Sequence, residues 1–255
     1  MSDPAEASVV GVVGERTDTI RSAIERADVR HRCGSLSTVL ASTPDVLVVA
    51  GEHALLDVAA RDPTPDVPIL PVAAGTGVQS VARNHVRAAI SALLDGAGTT
   101  HERPILAATE AGVERARALC ELMLVTAEPA RISEYAIQAG DDHVAQFRAD
   151  GVVVATPAGT HGYARSVGAP VLARGTNVVS AVPIAPFATD SDQWILPMDS
   201  ITLRVERDEV DVELLADDRR SDTVPPDTPI SVSVTDQLTI RTVPQSNTPF
   251  ARADK

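Results

Sequence analysis

Residues 147–170 read FRADGVVVATPAGTHGYARSVGAP, and this stretch constrains the fold more than any other. Residues 152–155 are a short run rich in β-branched side chains, between Gly151 and a Thr-Pro pair, which predicts a buried strand. Asp150-Gly151 ahead of it is a strand-entry signal. Behind it, Thr156-Pro157-Ala158-Gly159-Thr160 makes a tight loop of hydroxyls, a Pro and a Gly. Such a loop can turn N–H groups and hydroxyls toward a polar ligand. Tyr163 and Ser166 follow on a predicted short helix. Strand, small polar loop and helix in that order is a common way to build a nucleotide site.

The rest of the chain divides into two patterns. Residues 8–14 are an apolar strand closed by Gly, residues 18–28 have helical spacing at Ile20, Ala23 and Ile24, and residues 35–42 form a weak helix. Residues 45–50 form a strand that is apolar after Asp45, as in the middle of a parallel sheet. A helix over 54–61, a strand over 67–73, a turn at Ala74-Gly75-Thr76-Gly77 and a helix over 81–94 complete an α/β layer. Gly11 and Gly14 do not make the GxGxxG fingerprint of dehydrogenases. Residues 95–100 read as a linker, after which strands follow one another with almost no helix: 103–108, 118–126, 132–139, 144–148, 152–155, 177–182, 200–205, 210–216, 229–234 and 238–243. The expected fold is an α/β N-terminal domain with a parallel sheet, residues 1–98, and a β-rich, sandwich-like C-terminal domain, residues 99–255, whose tail from 244 is loosely held.

Composition excludes several classes. The 255 residues contain no apolar run near the ~18 needed for a membrane helix, and the polar N-terminus is not a signal peptide, so a cytoplasmic protein is expected. Cys33 and Cys120 cannot form a disulfide framework or a metal cluster. A net charge of −13 argues against a nucleic-acid partner. Of 22 basic residues only Lys255 is a lysine, so P-loop and protein-kinase phosphate chemistry and Schiff-base chemistry lack their essential side chain. Abundant Asp, scarce aromatics and near-absent Lys resemble the proteins of salt-accumulating halophilic archaea, where high salt screens the repulsion of surface carboxylates.

Asp150, Gly151, Thr156, Pro157, Gly159, Thr160, Tyr163, Ser166 and Gly168 match in register the signature of the NAD kinase family, which the chain resembles. It departs at His161, Gly162 and Ala169, where the family usually carries Thr, Ala and Gly. Ala118-Leu119-Cys120-Glu121 resembles the family's A-L-N-E, with Cys for Asn, and residues 182–186 and 194–197 resemble later segments. The resemblance implies a two-domain plan and phosphoryl transfer from ATP or polyphosphate to the 2′-hydroxyl of NAD, giving NADP, with Mg²⁺ or another divalent metal. It implies that Cys120, Glu121, Asp150, Thr156, Gly159, Thr160, His161, Tyr163 and Ser166 line the NAD site, and that the protein is a homo-oligomer.

The family's catalytic G-G-D-G-T corresponds here to Ala50-Gly51-Glu52-His53-Ala54. Glu52 keeps a carboxylate that can act as base or bind metal. As the first residues of a helix it would also simply favour the dipole. Gly51 and Gly75 are the expected phosphate-facing glycines. His53 puts a bulky group where bare backbone would meet phosphates, with strain expected if its φ is positive. His53 and His161 together suggest a new acid–base or metal pair. Three functions stay open: an NAD kinase with Glu52 as altered base, a dinucleotide-binding sensor or regulatory protein that has lost catalysis, and a kinase or phosphatase acting on another small molecule. The acidic composition yields a first prediction: the melting temperature rises by several degrees or more between about 0.1 M and 3 M KCl, and a flat profile by circular dichroism would remove the halophilic reading.

Overall fold

Strand β1 (Val10–Gly14) opens the first unit, followed by α1 (Asp18–Arg26), β2 (His31–Cys33), α2 (Leu36–Leu40), β3 (Val46–Ala50), α3 (Glu52–Ala59), β4 (Ile69–Val72), a 3₁₀ turn at Arg83–His85 and α4 (Val86–Leu94). The computed structural model describes residues 9–128, 131–188, 192–248 and 250. These four strands pair in parallel in the order β2-β1-β3-β4. Their valines and leucines are buried because helices cover the sheet: Ile20 and Ile24 of α1 and Val86, Ala89, Ile90 and Leu93 of α4 meet Val10, Val12, Val48 and Leu70 in one cluster. The chain leaves β1 toward one edge, to β2, then returns to β3 and proceeds toward the other. The crevice at the carboxyl ends of β1 and β3 is therefore the switch point where open α/β sheets bind ligands.

The second unit carries most of β5 (Thr99–Glu110), β6 (Val113–Ala118), β7 (Glu121–Thr126), β8 (Ser133–Ala139), β9 (Asp142–Ala149), β10 (Gly151–Ala155), a 3₁₀ turn at Gly159–His161, α5 (Tyr163–Ser166), β11 (Val178–Ile184), β12 (Trp194–Pro197), β13 (Ile201–Arg207), β14 (Val212–Ala216), β15 (Arg219–Thr223) and the larger part of β16 (Pro229–Thr242). One antiparallel sheet runs β12-β11-β10-β7-β14-β15; in the other, β16, β13, β8 and β9 are neighbours. Leu106, Leu122, Leu124, Tyr135, Ile137, Val152, Val154, Leu203 and Val205 form the main core. Alternate residues of β10 face opposite ways: Val152 and Val154 enter that core, whereas Val153 and Ala155 pack with Met123, Ala164 and Val182 in a second cluster. With both faces covered, β10 reads as an uninterrupted apolar run.

Compact packing groups the described residues up to Arg103 with those from Leu238 onward, and Pro104–Gln237 separately. The expected division after residue 98 left the C-terminal segment in the second domain; here the end of β16 returns to the first unit, Ile240 pairing in parallel with Ile69 of β4. Other differences have local causes. Residues 229–234 and 238–243 are one long strand, not two. The expected linker at 95–100 is a turn that passes into β5 at Thr99. The helix expected over 54–61 begins at Glu52, and that expected over 81–94 has a 3₁₀ turn before α4 starts at Val86. Strands β2, β6 and β15 lacked a sequence signal because they expose much of their length and carry little apolar pattern. The N-terminal residues 1–8 and the only lysine, Lys255, lie outside the described residues. Among the described residues no helix is long and apolar enough to cross a membrane.

Leu124, fully buried on β7 in the main core, tests this architecture. Leu124→Ala is expected to cost about 2–5 kcal/mol in denaturant unfolding, the range for an incompletely collapsed core cavity.

Candidate functional site

In the second unit the site grows out of the end of β10. The Thr156 N–H donates to the Cys120 carbonyl at 2.8 Å. Its hydroxyl donates to the Leu119 carbonyl at 2.7 Å and accepts the N–H groups of Ala158 and Gly159 at 3.2 and 3.3 Å. Thr160 donates its hydroxyl to the Pro157 carbonyl and accepts the Leu172 N–H, both at 3.1 Å. Both threonines are fully buried. Their hydroxyls are thus engaged inside the protein, so they shape the loop rather than present oxygen to a ligand. A Cβ at Gly159 would lie 2.1 Å from the Cys120 carbonyl oxygen, so any side chain there forces the loop away from the backbone between β6 and β7.

The loop leads to α5, and here the predicted residues come together. Glu121 at the start of β7 is buried, and its Oε2 accepts the Ala164 N–H at 3.1 Å. Tyr163, on α5, is 44 % exposed. Burial pushes its phenol up, reinforced by the negative charges of Glu121 and Asp150. Asp150 anchors its backbone: its carbonyl accepts the Thr126 N–H at 2.8 Å and the Thr126 hydroxyl at 3.0 Å, and its N–H donates to Ile184. No donor among the described residues reaches its carboxylate. Ser166 is exposed and closes α5 by donating to the Tyr163 carbonyl at 2.6 Å. Cys120 is half-buried and, like Cys33 in the other unit, is not in a disulfide. The second unit therefore offers two carboxylates and a half-exposed aromatic ring around the start of α5.

In the first unit a cavity of about 310 Å³ opens at the switch point, lined by Val13, Glu15, Ser35, Gly51, Glu52 and His53, with Asp57 beside them. Gly51 caps α3 with φ of +103°, a conformation only glycine adopts readily. Glu52 is the exposed first residue of α3, where the helix dipole favours an acid. Its Oε1 lies 3.7 Å from the place a Cβ would take on Gly75. Gly51, Glu52 and Gly75 are thereby gathered at one end of the parallel sheet.

His53 behaves differently from the expectation. It lies inside α3 with ordinary helical backbone, so the strain anticipated for it falls on Gly51 instead. Its ring is 71 % exposed, with Nε2 3.8 Å from Asp57 Oδ2 one turn along. His161 belongs to the other unit, where burial, then Arg165 and Arg174, hold its imidazole below the ordinary value. Each histidine has its own local surroundings, and neither unit contains the expected pair. Among the described residues no three His, Cys, Asp or Glu side chains converge as a metal-binding group. A Mg²⁺ carried on donor phosphates needs only one or two protein carboxylates, and the open position of Glu52 fits that demand.

One organising residue escaped the sequence reading. Asp217, in the turn between β14 and β15, accepts the N–H groups of Leu119, Cys120 and Glu121 at 2.9, 2.7 and 3.0 Å. The pair Asp217-Asp218 signals a turn, but no local pattern reveals a partner 96 to 98 residues away.

The depressed imidazole of His161 gives a pH prediction. The unfolded chain takes a proton at this residue near pH 6.5, whereas the folded protein resists it until lower pH. The contribution is present above the unfolded value and lost as pH falls through the folded one. His161→Gln should flatten the acid side of the melting-temperature profile between about pH 7 and 5. An unchanged profile would contradict this environment for the imidazole.

Proteins of similar sequence and fold are known. Residues 119–242 match the ATP-NAD kinase C-terminal domain. An NAD kinase of Methanosarcina barkeri is 37 % identical over 102 residues, which are 40 % of this chain and 37 % of that protein. One of Methanothermobacter thermautotrophicus is 28 % identical over 158 residues, 61 % of this chain and 56 % of that one. The aligned part thus spans less than two thirds of these relatives. Among solved structures, an NAD kinase from Archaeoglobus fulgidus in complex with ATP superposes with a TM-score of 0.72 at 20 % identity, covering 93 % of this chain and 94 % of that one. Yeast NADH kinase complexed with NADH also gives 0.72, at 15 % identity, covering 96 % and 89 %. Residues 119–242 thus resemble the C-terminal domain of ATP-NAD kinases, and the chain has the fold of the NAD kinases of known structure.

Proposed function

We propose that this protein transfers a phosphoryl group from ATP or polyphosphate to the 2′-hydroxyl of NAD, giving NADP. The observation that carries the reading is the group around α5: the Glu121 carboxylate on the Ala164 N–H, the Asp150 carboxylate without a donor among the described residues, and the half-exposed Tyr163 ring, all within the matched region. A dinucleotide carries amide and hydroxyl donors for the two carboxylates and planar rings to lie against the tyrosine. The relatives similar in sequence are NAD kinases, and the two similar solved structures are complexes with ATP and with NADH.

The donor phosphates are assigned to the first unit's cavity, beside Gly51 and the start of α3, where free N–H groups favour anions. The cavity walls carry Glu15, Glu52 and Asp57, so a divalent cation accompanying the donor would offset like charge, and Glu52 would hold it. In the reaction the 2′-oxygen forms a bond to the terminal phosphorus while the bond from that phosphorus to its bridging oxygen breaks. ADP or shortened polyphosphate departs. Glu52 is the carboxylate we assign to accept the hydroxyl proton, one methylene longer than the Asp of the family. We also assign a homo-oligomeric assembly and a cytoplasmic setting, on the family resemblance; Phe187 and Ile195 are large exposed hydrophobics that an interface would cover.

A coupled assay at molar salt, with NAD, ATP and Mg²⁺ and NADP formation followed, tests the reading. Parent protein should turn over, and Glu52→Gln should lower kcat by about a hundredfold or more, the scale of lost general-base catalysis. Absence of NADP, with NAD still raising the melting temperature, would leave a dinucleotide-binding protein and sink the kinase.

A further inference from the structure

Residues 119–121 form a turn whose polar backbone atoms are held from two sides. On one side the Asp217 carboxylate takes all three N–H groups: Oδ2 accepts from Leu119 at 2.9 Å, and Oδ1 accepts from Cys120 at 2.7 Å and Glu121 at 3.0 Å. The Asp217 N–H returns a bond to the Glu121 carbonyl at 2.8 Å. On the other side Thr156 takes the carbonyls, its hydroxyl on Leu119 at 2.7 Å and its N–H on Cys120 at 2.8 Å. The final residue of this turn is Glu121, whose carboxylate reaches the Ala164 N–H beside Tyr163. Asp217 itself sits at a left-handed position, φ +53°, in a hairpin turn far along the chain. An aspartate tolerates that conformation better than most side chains.

We propose that Asp217 is a positioning residue for dinucleotide binding: it locks the 119–121 turn so that the Glu121 carboxylate stays on the start of α5. This rests on the dinucleotide reading given above. The chemistry calls for a carboxylate. Three convergent N–H donors need an acceptor-only group with two oxygens, an anion held by a backbone nest. An Asn amide supplies one oxygen and turns its own N–H₂ toward the remaining donor. Burial pushes the Asp217 carboxyl above the usual carboxylate range, and the three N–H groups, with Arg219, pull it back. The turn therefore depends on a buried carboxylate held by the very backbone that it orders.

The test combines Asp217→Asn, Glu121→Gln and the double variant. With folded protein, Asp217→Asn should raise both KM and Kd for NAD about tenfold, while KM for ATP stays within about twofold of the parent. The double variant should bind NAD no worse than Glu121→Gln alone, because both changes act through one carboxylate. NAD affinity unchanged in folded Asp217→Asn, or losses that add in the double variant, would overturn the positioning role. Hydrogen exchange gives a reading independent of activity and of any variant's stability. In the parent, the N–H groups of residues 119–121 should exchange as slowly as those of core strands, and fast exchange would refute the clamp. Should the parent bind no NAD, the dinucleotide reading falls by itself. Exchange at the Ala164 N–H then decides positioning: acceleration in Asp217→Asn supports it, and unchanged exchange overturns it.

Discussion

Strand β10 is the constraint from which the second unit's site follows. It lies between β7 and β11, with Val153 opposite Met123 on one side and Val182 on the other. Both of its faces are buried, so a slip of one residue would exchange the two faces of the entire strand. That register places Asp150 just before the strand and Thr156 just after it. It also sets Ala155 opposite Glu121, so the acid of β7 starts level with the point where β10 ends. The loop, the 3₁₀ turn and α5 then have little freedom, since Thr156 and Thr160 tie them to neighbouring backbone and Ala164 packs beneath the sheet.

The first unit reaches its site by a different route. Parallel strands end together, and the order β2-β1-β3-β4 opens a crevice where the following connections part. Gly51 and the start of α3 border that crevice because β3 ends at Ala50 and a left-handed residue is needed to turn into the helix. His53 illustrates how a local setting changes a residue's meaning. Placed in a loop it would obstruct; inside α3 it costs no backbone strain and leans toward Asp57.

Much of this was legible in the chain. The alternation of strands and helices, then strands alone, identified both architectures, and the 147–170 segment identified the loop at the heart of the second. Legibility failed where the determinant was either weakly patterned or distant. Strands β2 and β15 lie at sheet edges and lack an apolar face to announce them. The return of β16 to β4 is a pairing between Ile240 and Ile69, separated along the chain by most of the fold. Asp217 looks like an ordinary turn acid until its three bonds are seen. Thr156 and Thr160 show the opposite error, since hydroxyls in a small-residue loop suggest ligand contact but here satisfy the loop itself.

That internal wiring bears on how such a loop changes over evolutionary time. Thr156, Gly159 and Thr160 are demanded by burial, close approach and hydrogen bonding whether or not a ligand ever binds. Selection for a stable fold alone would preserve them, so the recognisable signature can outlive the reaction. Asp150, Tyr163 and Glu52 are different: a carboxylate with no donor among the described residues, a half-exposed ring and an exposed helix-start acid are easily replaced without disturbing packing. In a descendant that had abandoned catalysis these three would drift first, leaving an intact motif around a silent site.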